Sequence, residues 1–297
     1  MRKPNKSPAK DRKPKPPHGK PPHGQNRAPG QNRSPRPENS RERPGKKQEN
    51  WIYGLHAIEA ALANPRRNLH RAVLTARAAE ALGPKLAGRV RVEPADIEAI
   101  ARLLPPGAVH QGAALSCDPL PTRDLDEVLA SSMAGLDPAI QSEKKNRRIV
   151  LVLDQLSDPH NVGAILRTAA AFAVTAVVVQ DRHAPPQSGA LTKAASGAME
   201  IMPYVEVVNI ARALDKLGEA GFWRIALVGD GQEPIAQAAA QGDIALVVGS
   251  EGDGIRRLVR EHCDTAAFIP IDKAMESLNV SNAAAIALYE IRRTEGP

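Results

Sequence analysis

Between Ile149 and Ile271 the chain alternates short apolar runs with helical patterns, and this alternation limits the fold more than any other feature of the sequence. The runs are Ile149–Leu153, Ala176–Val179, Val205–Val208, Ile225–Val228, Ile244–Val248 and Ala266–Ile271. Each has the length of a strand and is apolar almost throughout, so each reads as buried on both faces. In the first helical pattern, Val162, Ile165, Leu166, Ala169 and Ala173 form one stripe and put Arg167 on the other face. Strands that alternate with helices predict an α/β fold whose mostly parallel sheet is covered on both sides.

The chain before these runs divides further. Residues 50–118 read as a small α/β unit. Leu55, Ile58 and Leu62 fall at helical spacing and Asn64-Pro65 ends that helix. Apolar runs follow at Ala72–Leu74 and Val90–Val92, then a helix around Asp96–Leu104 and a strand around Ala113–Ser116. Residues 119–147 are polar and contain proline, and read as a linker with one helical turn near Leu125–Leu129. Residues 148–295 form the larger α/β domain.

Residues 1–49 are a separate case. Positions 1–50 carry 15 Lys and Arg against 4 Asp and Glu, a net +11, whereas the remainder carries 25 against 29, a net −4. The same stretch holds 11 of the 26 prolines and few apolar side chains, so it is expected to be a disordered basic arm. Lysines and arginines in such an arm release phosphate counterions on binding RNA; the alternative is a solubilising extension. No signal-peptide core and no apolar run near the ~20 residues of a membrane span is present, and Cys117 and Cys263 lack metal-ligand spacing. A cytoplasmic protein with two inert thiols, no membrane partner and no metal is expected.

Three polar segments follow apolar runs and precede helical patterns, where an open α/β sheet places its ligand. They are DPHNVGAILRTA from Asp158, GSEGDGI from Gly249, and the stretch from Ile269 to Ala285 that contains ESLNVSN. A phosphate on the glycine-rich segment is one reading. Against it, the glycines do not follow GxGxxG, no GxxxxGK[ST] segment occurs, and Glu251 and Asp253 would sit beside the anion. The acids suit a neutral or cationic ligand better, and S-adenosylmethionine is one such ligand.

The three segments in this order resemble the SpoU (TrmH-like) RNA ribose 2′-O-methyltransferases of the SPOUT class. IYGLHAIEAAL from Ile52 and GAVHQGAAL from Gly107 resemble that family's RNA-binding domain. The resemblance covers Trp51 to Arg293. It implies a trefoil knot in the C-terminal part of the catalytic domain, S-adenosylmethionine as cofactor, a homodimer, and 2′-O-methylation of RNA but not DNA. The subgroup with this domain order modifies a guanosine ribose in large-subunit (23S) ribosomal RNA. A transfer-RNA ribose methyltransferase is the alternative within the same chemistry, and a non-catalytic RNA-binding assembly factor is the alternative outside it.

By the same resemblance, Arg167 is the central catalytic residue, with Asn161, Glu251, Ser277 and Asn279 shaping the site around it. Gly249, Ile269 and Leu278 would line the cofactor pocket through backbone groups. Each has a plainer reading. Asn161, Ser277 and Asn279 stand at helix starts, where Ser and Asn cap. Arg167 and Glu251 could be solvated surface charges. As a general base Arg167 is awkward, because guanidinium has a pKa of ~12.5 or above and accepts no hydrogen bond. Orienting the ribose-phosphate and stabilising alkoxide charge suits it better. His160 is a loop histidine read as a spectator, and His56 and His110 as structural or RNA-contacting. Asn282 departs from the small apolar residue expected at its position.

Overall fold

The computed structural model describes residues 49–134, 147–240 and 242–293. The expected basic arm, except for residue 49, and most of the segment just before Ile149 lie outside the described residues.

The chain first builds a small sheet. Strand β1 (Trp51–Tyr53) leads into helix α1 (Leu55–Ala63), then β2 (Leu69–Leu74), α2 (Ala76–Leu82), a 3-10 turn at Gly83–Leu86, β3 (Arg91–Pro94), α3 (Ile97–Ala101) and β4 (Ala113–Cys117). The strand order is β1-β4-β2-β3, antiparallel except for the β2–β3 pair. Ile52, Ile58, Leu62, Leu74 and Leu115 form its main core. Helices α1 and α3 and strands β2, β3 and β4 fall where they were expected, whereas β1, α2 and the 3-10 turn were not expected.

Helix α4 (Leu125–Met133) follows, capped by Asp124, whose side chain accepts from the amides of Asp126 and Glu127. A single helical turn in a linker was expected here. The structure has nine residues of helix, with Leu125, Val128 and Leu129 packed against Val150, Val152 and Val178 of the large sheet. The polar composition of its surroundings conceals that three-residue apolar stripe.

The large sheet then runs through β5 (Ile149–Asp154), α5 (Pro159–Ala171), β6 (Ala176–Gln180), α6 (Gly189–Ala195), α7 (Ala198–Ile201), β7 (Tyr204–Val207), α8 (Ile210–Glu219) and β8 (Phe222–Leu227). It ends with β9 (Glu233–Pro234), α9 (Ile235–Ala238), β10 (Asp243–Gly249), α10 (Arg257–Glu261), β11 (Thr265–Phe268) and α11 (Val280–Arg293). Seven strands lie in the order β7-β6-β5-β10-β8-β11-β9, all parallel. Alternation along a strand explains its two covers. Ile149, Leu151 and Leu153 face one layer with α5 and α11, whereas Val150 and Val152 face the other with α4 and α8. Strand β11 stops at Phe268, so Ile269 to Ile271 belong to the following loop. Ala173, expected in the α5 stripe, lies beyond the helix end, exposed and at φ 49°.

A buried polar cluster joins the small sheet's unit to the large one. Glu200 of α7 accepts from Asn64 Nδ2 at 2.8 Å and pairs with the Arg67 guanidinium, whose Nη1 donates to the Asp118 carbonyl at 2.9 Å. Asn64, Arg67 and Glu200 are each under a tenth exposed. Nearby, Gly189 opens α6 against β1, where a Cβ would come within 2.4 Å of the Tyr53 ring and 2.5 Å of the Trp51 carbonyl oxygen. Burial pushes the Cys117 thiol up to about 11 and Cys263 up to about 12, so both remain protonated at neutral pH.

Removing one partner of a buried pair leaves the other charged and unsolvated. Glu200→Leu is expected to cost about 3–5 kcal/mol of stability, read as a lowered urea midpoint. The double variant Arg67→Met, Glu200→Leu should recover much of that loss.

Candidate active site

The carboxyl ends of β5 and β10 are neighbours: Asp154 and Gly249 are paired across the ladder. The strand order, not the strand direction, switches here, with β6 and β7 on one side and β8, β11 and β9 on the other. Loops leaving adjacent strands at such a point diverge and leave a crevice.

After β5, Asp158 caps α5 by accepting from the amides of His160 and Asn161, both at 3.1 Å, with Pro159 in the first turn. Asn161 is therefore not the cap its sequence position suggested. With Asp158 in that role, the Asn161 amide group is free to reach elsewhere. Gly163, one turn on, packs on α6, where a Cβ would come within 2.4 Å of Ala194 Cβ.

After β10 the chain makes a tight turn. Ser250 and Gly254 exchange backbone hydrogen bonds at 3.0 and 3.2 Å, and Gly252 and Gly254 take φ values of 93° and 65°. Gly249 closes the turn's base, because a Cβ there would lie 2.1 Å from the Gly254 carbonyl carbon. These glycines serve the turn itself, which answers the phosphate-cradle reading. The following Arg256 is anchored by Asp154. That carboxylate, fully buried, accepts from the Arg256 amide at 2.9 Å and from its Nε at 2.9 Å. Arg256 Nη2 donates in turn to Gln180 Oε1 at 2.9 Å, at the end of β6. Sequence reasoning missed this clamp by ending the strand at Leu153. A charged residue finishing a doubly buried strand was the available signal.

After β11 the chain returns to α11, and Asn279 caps it. Its Oδ1 accepts from the amides of Ser281 at 3.0 Å and Asn282 at 3.4 Å. Its Nδ2 donates to Glu251 Oε1 at 2.6 Å and to Asn161 Oδ1 at 3.0 Å, while Asn161 Nδ2 donates to the same Glu251 oxygen at 3.2 Å. One side chain from each of the three segments thus enters a single network. Asn279 needs both an acceptor for the cap and donors for the network, which among the favoured capping residues only asparagine supplies.

Other expected site residues are placed differently. Ser277 is exposed, precedes the cap by two residues and has no hydrogen-bond partner among the described residues. Gly249, Ile269 and Leu278 are half-buried on the same loops, and His160 is exposed beside Asn161. Arg167 lies six residues along α5 from Asn161, about 9 Å up the axis and roughly 240° around it. It is exposed, makes no ion pair or hydrogen bond among the described residues, and lines a cleft against α1. Glu251 therefore pairs with the two asparagines and makes no contact of this kind with Arg167.

The charge of the loops bears on what they hold. Residues 249–256 and 269–279 carry four carboxylates (Glu251, Asp253, Asp272, Glu276) against Arg256 and Lys273, an excess of two negative charges, and Arg256 is spent on Asp154. Such a site fits a ligand with a cationic centre, as the sulfonium of S-adenosylmethionine is, and opposes a phosphate. Among the described residues no group of three or more His, Cys, Asp or Glu is arranged to hold a metal ion.

Fold and site define an α/β protein that binds a small ligand at the carboxyl edge of a parallel sheet, beside an appended α/β unit. Residues 148–289 match the model of the SpoU rRNA Methylase family, and residues 51–123 match that for RNA 2′-O ribose methyltransferase substrate binding. The 23S rRNA (guanosine-2′-O-)-methyltransferase RlmB of Vibrio vulnificus is 38% identical over 251 residues, covering 82% of this chain and 96% of that protein. Its counterpart in Haemophilus ducreyi is 38% identical over 247 residues, with 82% and 96% covered. The chain belongs to the SpoU rRNA methylase family. In fold it is also similar to the SpoU methyltransferase AviRb from Streptomyces viridochromogenes, solved with AdoMet, at a TM-score of 0.67 and 20% identity over 84% of this chain and 91% of that one.

Asn279→Asp keeps the cap but replaces a donor with a carboxylate facing Glu251. Like charges at this distance raise the pKa of the pair. The penalty is absent at low pH, where a proton is shared, and grows as pH rises through the raised value. A deficit of about 1–3 kcal/mol against wild type is expected at neutral pH, shrinking on acidification, in denaturant titrations repeated across pH.

Proposed function

We propose that this protein methylates the 2′-oxygen of a ribose, that of a guanosine, in 23S ribosomal RNA, with S-adenosylmethionine as methyl donor. The observation that carries the reading is the network of Asn161, Glu251 and Asn279, which ties the three motif loops together at the carboxyl edge of the sheet. The RlmB relatives, nearly all of whose length this chain covers, support the substrate class. When bound, the cofactor supplies a methyl group on a good leaving group, so the protein mainly provides proximity and alignment.

In this reading the turn from Gly249 to Gly254 and the loop carrying Ile269 and Leu278 hold the cofactor, and the Asp154–Arg256 clamp fixes the first of these loops. Glu251 sets the mutual position of the two asparagines. Arg167 grips the ribose-phosphate of the substrate and stabilises charge that develops on the 2′-oxygen. Ser277, exposed beside the network, is held to contact substrate. Residues 50–118 are the RNA-binding unit, residues 148–295 the catalytic unit, residues 119–147 their connection, and the basic residues 1–49 add RNA affinity. The trefoil knot belongs to the same reading. It rests on the resemblance of the three motif segments to the family.

Two features support a homodimer. The outer stripe of α11 leaves Asn282, Ile286 and Tyr289 exposed, and Tyr289 meets Phe172 edge to face. Arg167 also stands away from the cofactor loops of its own chain, so a second copy would bring an arginine to them. The protein acts in the cytoplasm, where ribosomal RNA is made and assembled in bacteria; no described helix is long and apolar enough to cross a membrane.

The test is transfer of labelled methyl from S-adenosylmethionine to unmodified 23S rRNA, with 2′-O-methyl sites mapped. One labelled guanosine ribose is expected, lost by about 100-fold or more in rate with Arg167→Ala. Label on transfer RNA alone would favour the other substrate class, and RNA binding with no transfer would favour an assembly factor. Near-full activity in Arg167→Lys would remove the planar fork from the mechanism.

A further inference from the structure

The buried Glu200 cluster fixes the small unit against the large one, and the junction leaves an open cleft of about 440 Å³. Its small-unit wall is one face of α1, with His56, Glu59, Ala60 and Ala63 at helical spacing, joined by Lys85 from the 3-10 turn. Its opposite wall is Arg167 of α5 and Ser196 at the end of α6. Small residues permit the close approach. Gly197, at φ 91°, stands where a Cβ would be 3.0 Å from Ala60 Cβ.

The charges in this cleft are unevenly satisfied. Arg167 has no polar partner among the described residues. Lys85 has one, the Glu59 carboxylate, and that pair is about half exposed on both sides. An exposed pair of this kind contributes little and exchanges readily. Two cations line the cleft from different units against one carboxylate, which leaves it a net positive charge that an incoming anion would complete. Guanidinium and ammonium groups together suit a phosphodiester, the first by its planar fork and the second as a point charge.

We propose that this cleft holds one phosphodiester of the substrate RNA, gripped by Arg167 from the catalytic unit and by Lys85 and His56 from the small unit, with Glu59 holding Lys85 ready until RNA displaces it. The inference rests on the proposed function and names the side chains through which the small unit reaches the reacting region. It makes Lys85 and His56 binding residues for RNA, without contact with the cofactor. Only positions that combine docking of the units with a cation on each wall would serve, and neither unit alone contains the cleft.

The experiment uses the full chain with unmodified 23S rRNA, measuring methyl transfer, S-adenosylmethionine affinity by calorimetry, and RNA binding across salt concentrations. Lys85→Ala is expected to raise the KM for RNA by about 5- to 10-fold and to lower the slope of log affinity against log salt by about 1. The kcat at saturating RNA and the cofactor affinity should hold near wild type. His56→Ala should raise KM by a smaller factor, Lys85→Arg should restore it, and Glu59→Gln should lower it by freeing Lys85. A wild-type KM and salt slope in Lys85→Ala would overturn the proposal, as would a parallel loss of cofactor binding, which would mark a structural role. An unmoved KM in Glu59→Gln would overturn the holding role of Glu59. If wild type transfers no methyl to RNA, the proposed function fails, and the salt slope of RNA binding still decides the cleft.

Discussion

Glu251 Oε1 lies within hydrogen-bond reach of Asn279 Nδ2, Asn161 Nδ2 and the Val280 amide, at 2.6, 3.2 and 3.5 Å. Those donors come from segments separated by more than a hundred residues of chain, and the acceptor comes from a third. A carboxylate oxygen takes several donors because it is charged, and such bonds are stronger than neutral ones. The arrangement of the site depends on this one atom. Without it, the α5 start and the α11 cap would keep only the bond between Asn279 and Asn161, and the glycine turn would lose its side-chain tie to both.

That atom is held in turn by two features of the turn behind it. Gly249 lets the strand end meet the returning chain, and Asp154 fixes Arg256 on the far side of the same turn. A buried carboxylate and a partly exposed guanidinium make a costly arrangement by themselves. Here the backbone amide of Arg256 shares the carboxylate, Gln180 takes a further guanidinium donor, and the partly exposed guanidinium keeps its other donors for solvent. The entropy lost by the ordered glycines and the desolvation of Asp154 are both offset by the sheet beneath, whose strands β5 and β10 are almost entirely buried.

The alternation of apolar runs made the parallel sheet legible, because doubly buried strands leave an unbroken apolar signature. The two-residue strand β9 leaves none, and α4 was masked by its polar neighbours. Within the site, Asn161, Glu251 and Asn279 were legible through motif resemblance, yet their local roles were not. Capping by Asp158 and not Asn161 depends on where the helix begins, to within a residue or two, and sequence patterns do not resolve that. The orientation of Arg167 was legible from the stripe opposite it. What that face meets was not, since it depends on how an independent unit docks.

The Glu200–Arg67–Asn64 cluster bears on how freely the two halves of such a chain can be recombined. Relatives that exchanged their small units by genetic shuffling would have to carry Asn64 and Arg67 with the incoming piece, or leave an acidic side chain stranded in a dry interface. The cluster thus acts as a compatibility lock between modules, and exchange of the small unit is constrained by one buried ion pair.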